Sequence, residues 1–403
     1  MDILQWIAFG TLFTVVLCAS VFAYIRLKYG FWALQPVFHI YDASYYWNPP
    51  GIVCHTLPKA NRYTDFSRVS TVLVSVLSPV ERSRFVQLIQ GNYFRHGQNA
   101  YAPKENNILP YLSSHHDKCF VSLYTEPVTL MCNRTRRVIQ DVSVLGAITS
   151  RPLTVTIRDA GAVFDVYYVD FLCVEGNHRK KGIAPKLIQT HHYNQSHQNP
   201  RISVSLFKRE GELTGIVPLC AYTTYGFHSQ KSWAVPSPLT ADYQIVAVNS
   251  TNFHLLHFFF KENLSAFSIS ISCAPSHLLE LIQTGNVIGQ MFLHQHTILA
   301  AYFFYNTCVQ IEEGNDVLTC FASVRGKCEV DFFVHGFRLA HYKTVQANPN
   351  FTYCAVENIS HNHLILDDLL RKESPPVIRS PTAFFFYNFA IHTVSSSSVF
   401  FLA

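Results

Sequence analysis

The chain has 403 residues, enough for two domains or one large fused one, and at 49% hydrophobic and 14% charged it is apolar for a soluble protein. A net charge of +5, spread over basic runs of no more than three residues, gives no ground for nucleic-acid binding. Eleven cysteines, odd in number and without C-x-x-C spacing, fit free thiols better than a disulfide framework or a zinc site.

Ile3 to Ile25 carries no charged side chain and is followed by Arg26 and Lys28. At 1.5 Å per residue a helix of this length spans a bilayer core. A signal peptide would place its positive charge before a shorter apolar run. The expectation is therefore an uncleaved transmembrane anchor over 1–28, with the body on the cytosolic side by the positive-inside bias; a buried helix or a cleaved signal is the alternative. Sequons at Asn133, Asn194, Asn249, Asn263, Asn350 and Asn358 bear only on a lumenal body.

Tyr29-Gly30-Phe31-Trp32 follows the anchor, and as residues alone these aromatics suit a membrane-interface belt. Thr71 to Leu77 reads as extended, and Ser78-Pro79-Val80-Glu81 is a helix start with Ser at N-cap, Pro at N1 and Glu at N3. Strands are expected at Cys119–Tyr124, at Val144–Thr149 and at Leu153–Ile157, the last two separated by Pro152. A Val-, Tyr- and Phe-rich strand then runs from Val163 to Val174, and a helix opens at Gly182-Ile183-Ala184-Pro185. Their join, Arg179-Lys180-Lys181-Gly182-Ile183-Ala184, is an R-x-x-G-x-A sequence. Its N–H groups, helix dipole and cations converge on a volume suited to a pyrophosphate. Ile202 to Leu206 reads as a further strand, and Ser232 to Leu239 as a linker.

Phe171-Leu172-Cys173-Val174, the basic loop and Ala184-Pro185-Lys186-Leu187-Ile188 together resemble the N-F-L-C-V, basic loop, A-P-V-L-I pattern of the N-myristoyltransferase family, within the GNAT superfamily. Phe31-Trp32-Ala33-Leu34-Gln35-Pro36-Val37 is similar to the family's F-W-x-T-Q-P-V, and Val144 to Ile148 to its L-V-G-F-I-S strand. Ala300 to Asn306 is similar to A-A-Y-x-F-Y-N, and Ala383 to Phe389 to L-Q-Y-Y-L-Y-N-W. Three departures stand out. The acidic peptide loop is replaced by Asn92-Tyr93-Phe94-Arg95-His96, Y-T-A-G by Leu206-Phe207-Lys208-Arg209, and the glycine-rich turn before the last motif by Arg379-Ser380-Pro381-Thr382.

The resemblance implies an α+β fold of two pseudo-symmetric GNAT-like halves with mixed twisted sheets flanked by helices: 29–231 for acyl-CoA, and 240–403 for the peptide groove and terminal carboxylate. It implies long-chain acyl transfer from CoA to an N-terminal glycine. Backbone N–H groups of Phe171 and Leu172 would face the thioester oxygen, and the Ala403 carboxylate would act as base. Tyr29, Phe31, Trp32, Val174, Arg179, Lys180, Lys181, Gly182, Ile183, Ala184 and Pro185 would hold myristoyl-CoA. Tyr93, Tyr302, Tyr305 and Asn306 would meet the peptide. The implied partners are acyl-CoA as co-substrate, N-terminal glycine peptides or proteins, and the membrane; no permanently bound cofactor and no metal is expected. Paired histidines such as His115-His116 and His191-His192 read as surface or strand residues. A GNAT acetyltransferase and a non-catalytic membrane or interaction protein are the alternatives.

Overall fold

Two strand–helix–strand crossovers, each joining parallel strands of one continuous sheet, set the architecture. A computed structural model describes residues 3–28, 30–47, 50–93, 95–96, 99–131, 138–211, 215–229, 233, 235–311, 314–372 and 375–403. The first unit comprises β1 (Val69–Leu73), α2 (Pro79–Asn92), β2 (Phe120–Met131), β3 (Val138–Ile157), β4 (Ala162–Val174), α3 (Ile183–Gln198), β5 (Ser205–Glu210) and β6 (Cys220–Phe227). It is preceded by α1 (Ile3–Lys28). The second comprises β7 (Tyr243–Ala247), α4 (Phe253–Asn263), β8 (Ile269–Ser272), α5 (Pro275–Gln283), β9 (Ile288–His294), β10 (Thr297–Gln310), β11 (Asp316–Arg325), α6 (Val330–Ala347), β12 (Phe351–Glu357), α7 (Asn362–Lys372), β13 (Ile378–Tyr387) and β14 (Val399–Leu402).

The strand order is β7-β9-β10-β11-β12-β6-β13-β5-β4-β3-β8-β14, with β2 on β3 and β1 on β2. β4 and β5 are parallel across α3, and β11 and β12 are parallel across α6. One strand of each unit crosses to the other: β6 of the first pairs with β12, and β13 of the second with β5. This is the mixed sheet flanked by helices that the sequence leads one to expect.

The strand boundaries differ in three places. Val69–Leu73 is the strand near residue 71, followed by a 3-10 turn at Val74–Val76. The strand expected at Ile202 begins at Ser205. Pro152 does not split its strand, and β3 runs unbroken from Val138 to Ile157. Its β2 partners end at Ser150 and its β8 partners begin at Thr154, so the missing N–H falls where that edge has no neighbour.

α2 begins as expected, with Ser78 and Glu81 in a reciprocal capping box and Phe85, Leu88 and Ile89 buried. α1 is the one helix among the described residues long and apolar enough to cross a membrane; mean hydropathy over its span is 2.1 and none of that span is buried. The main core packs β14 with α4, β8 and the inner face of β11. Phe401 lies 4.5 Å from Phe384 and 5.5 Å from Tyr168 between ring centroids, so the sheet curls to bring β14 back over β4 and β13.

Candidate acyl-CoA site

β4 pairs with β5 only at Tyr167–Ser205, Tyr168–Leu206 and Val169–Phe207. Beyond Val169 the two strands part, which leaves the β5-facing edge of β4 from Asp170 to Val174 without a strand neighbour. On its other side β4 carries a bulge. Ala147 pairs with Cys173 and Thr149 with Asp170, so Phe171 and Leu172 stand out of register, and Phe171 takes a φ of +48°. This bulge takes Phe171 and Leu172 out of the ladder with β3. The amides are not both free as expected, however: Phe171 N–H donates to the Asp170 carboxylate at 2.8 Å, which also accepts from the Tyr93 hydroxyl at 3.2 Å.

The basic turn leads from this strand into α3. Lys180 has φ +63° and Gly182, the residue before the first turn, φ +79°. Left-handed residues two apart turn successive N–H groups to one side, and no side chain caps the helix. Among the described residues, the amides of Lys180, Lys181, Gly182, Ile183 and Ala184 have no acceptor, and Pro185 brings none. Lys180, Lys181 and Gly182 are exposed. Arg179, also exposed, donates from Nε to Val174 O at 3.2 Å and from Nη2 to Asn92 O, so it braces the loop against the end of α2. The equivalent turn after β11 is closed. A side chain at Gly326 would meet Phe259 at 2.8 Å, and Asp331 puts an acidic group in the first turn of α6.

The Phe31–Gln35 segment lies across the gap between α3 and the sheet. The buried Gln35 donates to Gln189 of α3 at 3.1 Å and accepts from Tyr387 of β13 at 2.6 Å. Trp32 stacks on Phe207 of β5 at 6.0 Å, and Phe31 meets Tyr63 edge-on. These contacts seat the aromatic pair on the body. Tyr29 lies outside the described residues, as does Phe94 of the loop that replaces the acidic one.

A charged cluster missed in the sequence borders the same space. Glu357 of β12 accepts Lys208 of β5 at 2.9 Å, the Tyr222 hydroxyl of β6, and the Tyr305 hydroxyl of β10 at 3.3 Å. Burial first, and then Asp170, push the Tyr168 phenol up, while Lys208 and Arg151 pull it down, so the Asp170 and Glu357 groups act on one ring. Nothing in the local pattern marks Lys208 or Glu357; the parting of β4 and β5 and the pairing of β6 with β12 bring them together.

Other expected residues fall elsewhere. Tyr302 is fully buried with its hydroxyl on Phe333 O of α6, so it is a core residue and not a groove residue. Asn306 spends its side-chain oxygen on Cys308 N–H. Ala403 follows β14, which runs in the same direction as β4, and is only partly exposed. The ten described cysteines are free, and no metal-ligating cluster occurs among the described residues. His191 is not a surface residue: it is buried between Ser122 (2.8 Å) and Ser150 (2.9 Å), and burial first holds its pKa down to about 3.

Crystal structures of Saccharomyces cerevisiae N-myristoyltransferase with bound myristoyl-CoA match 91% of this chain at TM-scores of 0.65 and 0.66, with 13% and 15% identity and 94% and 89% of their own length covered. The chain has the N-myristoyltransferase fold. A tandem GNAT protein from the clavulanic acid biosynthesis pathway matches 79% of the chain and 98% of its own length at a TM-score of 0.51 and 9% identity. No family model and no curated protein matches the sequence. Within the N-myristoyltransferase fold, the open turn before α3 and the parted β4 and β5 are the features that distinguish the first unit from the closed second one.

Proposed function

We propose that this protein transfers a long acyl group, myristoyl or similar, from CoA to the N-terminal glycine of a peptide or protein, from a single-pass anchor with its body on the cytosolic side. The observation that carries this reading is the run of acceptor-free amides from Lys180 to Ala184 beside the exposed Lys180 and Lys181. These groups suit the CoA pyrophosphate. The open β4 edge next to Val174 suits the amide-bearing arm of CoA, and Phe31 and Trp32 would cover the acyl chain. Residues 29–231 would hold acyl-CoA and 240–403 most of the peptide groove, with Tyr93 and Tyr305 at the opening between them.

In the transfer, the glycine ammonium loses one proton to the Ala403 carboxylate, and the free amine attacks the thioester carbon. The carbonyl oxygen becomes an oxyanion facing the N–H groups of Phe171 and Leu172. The C–N bond forms, the C–S bond breaks, and the departing CoA sulfur takes the second proton that the nitrogen sheds on becoming an amide. For the oxyanion to take the Phe171 N–H, the Asp170 carboxylate must first turn away, and Tyr93 already offers it a second donor.

That same bond favours a second reading, a non-catalytic binding protein in which Asp170 permanently blocks the donor. Calorimetric titration of the detergent-solubilised full chain with myristoyl-CoA and acetyl-CoA, followed by mass spectrometry of a glycine-initiated peptide, separates the readings. Tight myristoyl-CoA binding with an acylated peptide supports transfer. Preference for acetyl-CoA points to an acetyltransferase, and absence of any product leaves the binding protein.

A further inference from the structure

Large apolar side chains left in the open near α1 include Leu34 and a cluster of Ile40, Tyr41, Tyr46 and Trp47, with Ile40 67% and Trp47 79% exposed. They are fixed to the body. Tyr45 between them is buried, donates its hydroxyl to Ile391 O at 3.0 Å and accepts Thr393 N–H at 2.9 Å. Ile40 N–H donates to Gly215 O at 2.9 Å, and His39 bridges Ile216, which shares an apolar cluster with Trp32. The patch therefore sits beside Trp32, and Trp32 is four residues beyond Lys28, the last residue of α1. Four residues reach at most about 14 Å. A body fixed at Trp32 must stay close to whatever membrane α1 enters.

We propose that Ile40, Tyr41, Tyr46 and Trp47 form a lipid-contacting face that lies in the headgroup layer of the bilayer spanned by α1. The inference rests on the membrane reading of α1. Two tyrosines, a tryptophan and one aliphatic residue match the chemistry of that layer, where rings with one polar atom are favoured. Rigid display of these rings in water would otherwise cost apolar exposure with no return. Contact here fixes the orientation of the body, with the Phe31–Gln35 segment turned toward the lipid from which a long-chain acyl-CoA would be drawn.

The test uses the full chain in phosphatidylcholine nanodiscs containing a phospholipid with a diazirine near its glycerol. Adducts are mapped by mass spectrometry after irradiation. Adducts on the peptide 38–47 as well as on α1 are expected. The triple variant I40S/Y46S/W47S should lose the former and keep the latter, with an unchanged melting temperature. Adducts confined to α1 overturn the proposal but leave the anchor intact, whereas no adducts on α1 overturn the anchor and the proposal together. Chain-to-chain cross-links through Trp47 in place of lipid adducts also overturn it, in favour of self-association.

Discussion

Asp170 and Phe171 are neighbours in sequence and partners in space: the carboxylate of one accepts the backbone N–H of the other at 2.8 Å, on the residue whose amide is expected to meet a thioester oxygen. A hydrogen bond to a charged group is worth about 1.5–3 kcal/mol, and Asp170 is partly exposed, so the lower end applies. Asp170→Ala should tighten myristoyl-CoA binding about tenfold, and Asp170→Asn, which keeps an acceptor but loses the charge, should lie between the two. Calorimetry reads this directly. Weaker binding by Asp170→Ala would show that the carboxylate supports the site instead of occupying it.

Gly182 has nothing within 4 Å of where a side chain would begin, so its requirement is conformational. At φ +79°, Gly182→Ala should cost about 1–2 kcal/mol. It should also weaken acyl-CoA binding, because the turn that aims the amides is strained. Urea denaturation together with a CoA titration checks both, and a variant that binds as the parent does would remove the turn from the site.

The proposed base, the Ala403 carboxylate, can be altered without touching a side chain. A carboxamide at Ala403, installed by peptide ligation, should lower kcat by roughly 10²–10⁴-fold while acyl-CoA affinity is unchanged. Equal turnover would assign the proton transfer to another group.

Glu357 holds three donors in the interior, and its loss leaves the largely buried Lys208 with only the exposed Glu210, at 3.1 Å, as a counter-charge. Burial pulls the Lys208 pKa down, yet Glu357, Tyr222 and Glu210 outweigh it and hold the ammonium well above its ordinary value. Raised in the fold, this group contributes its stability below the unfolded value of about 10.4 and loses it only as pH climbs through the folded one, so the contribution is level between about pH 6 and 9. Glu357→Gln should destabilise by about 3–5 kcal/mol across that range, and K208M/E357L should cost less than Glu357→Gln alone. Chemical denaturation of both variants decides.

Part of the acid limb of stability should come from His115 and His277, whose ring centroids lie 3.7 Å apart between the 109–112 turn and α5. Burial first, and then the nearby Arg151, hold the His115 pKa down to about 4; burial and then His115 hold that of His277 down to about 2. Both depressed values mean that the neutral rings stabilise the fold above about pH 6.5, and that this is lost as pH falls from there through about 4 and on toward 2. Melting temperature should therefore drop from pH 6.5 to 4, and more shallowly in His277→Gln, whose amide can still donate to Ser113 O.

The strand, basic turn and helix from Val163 to Gln198 were legible because each is written in adjacent residues: a β-branched and aromatic run, a glycine, a proline tolerated early in a helix. The charged cluster was not. Lys208 and Glu357 are 149 residues apart and meet only through the sheet order. Tyr302 shows the opposite limit, since a motif match placed it in a groove while alternation along β10 turned it into the core. Pro152 misled for a similar reason, because whether a proline breaks a strand depends on which edge has a neighbour at that step.

The crossing of β6 and β13 has a practical outcome. Each half closes its sheet with a strand owned by the other, so neither 1–229 nor 240–403 should be soluble when made separately, whereas the two co-expressed should assemble as a split protein. Such a pair would offer a reporter whose reassembly can be placed under external control.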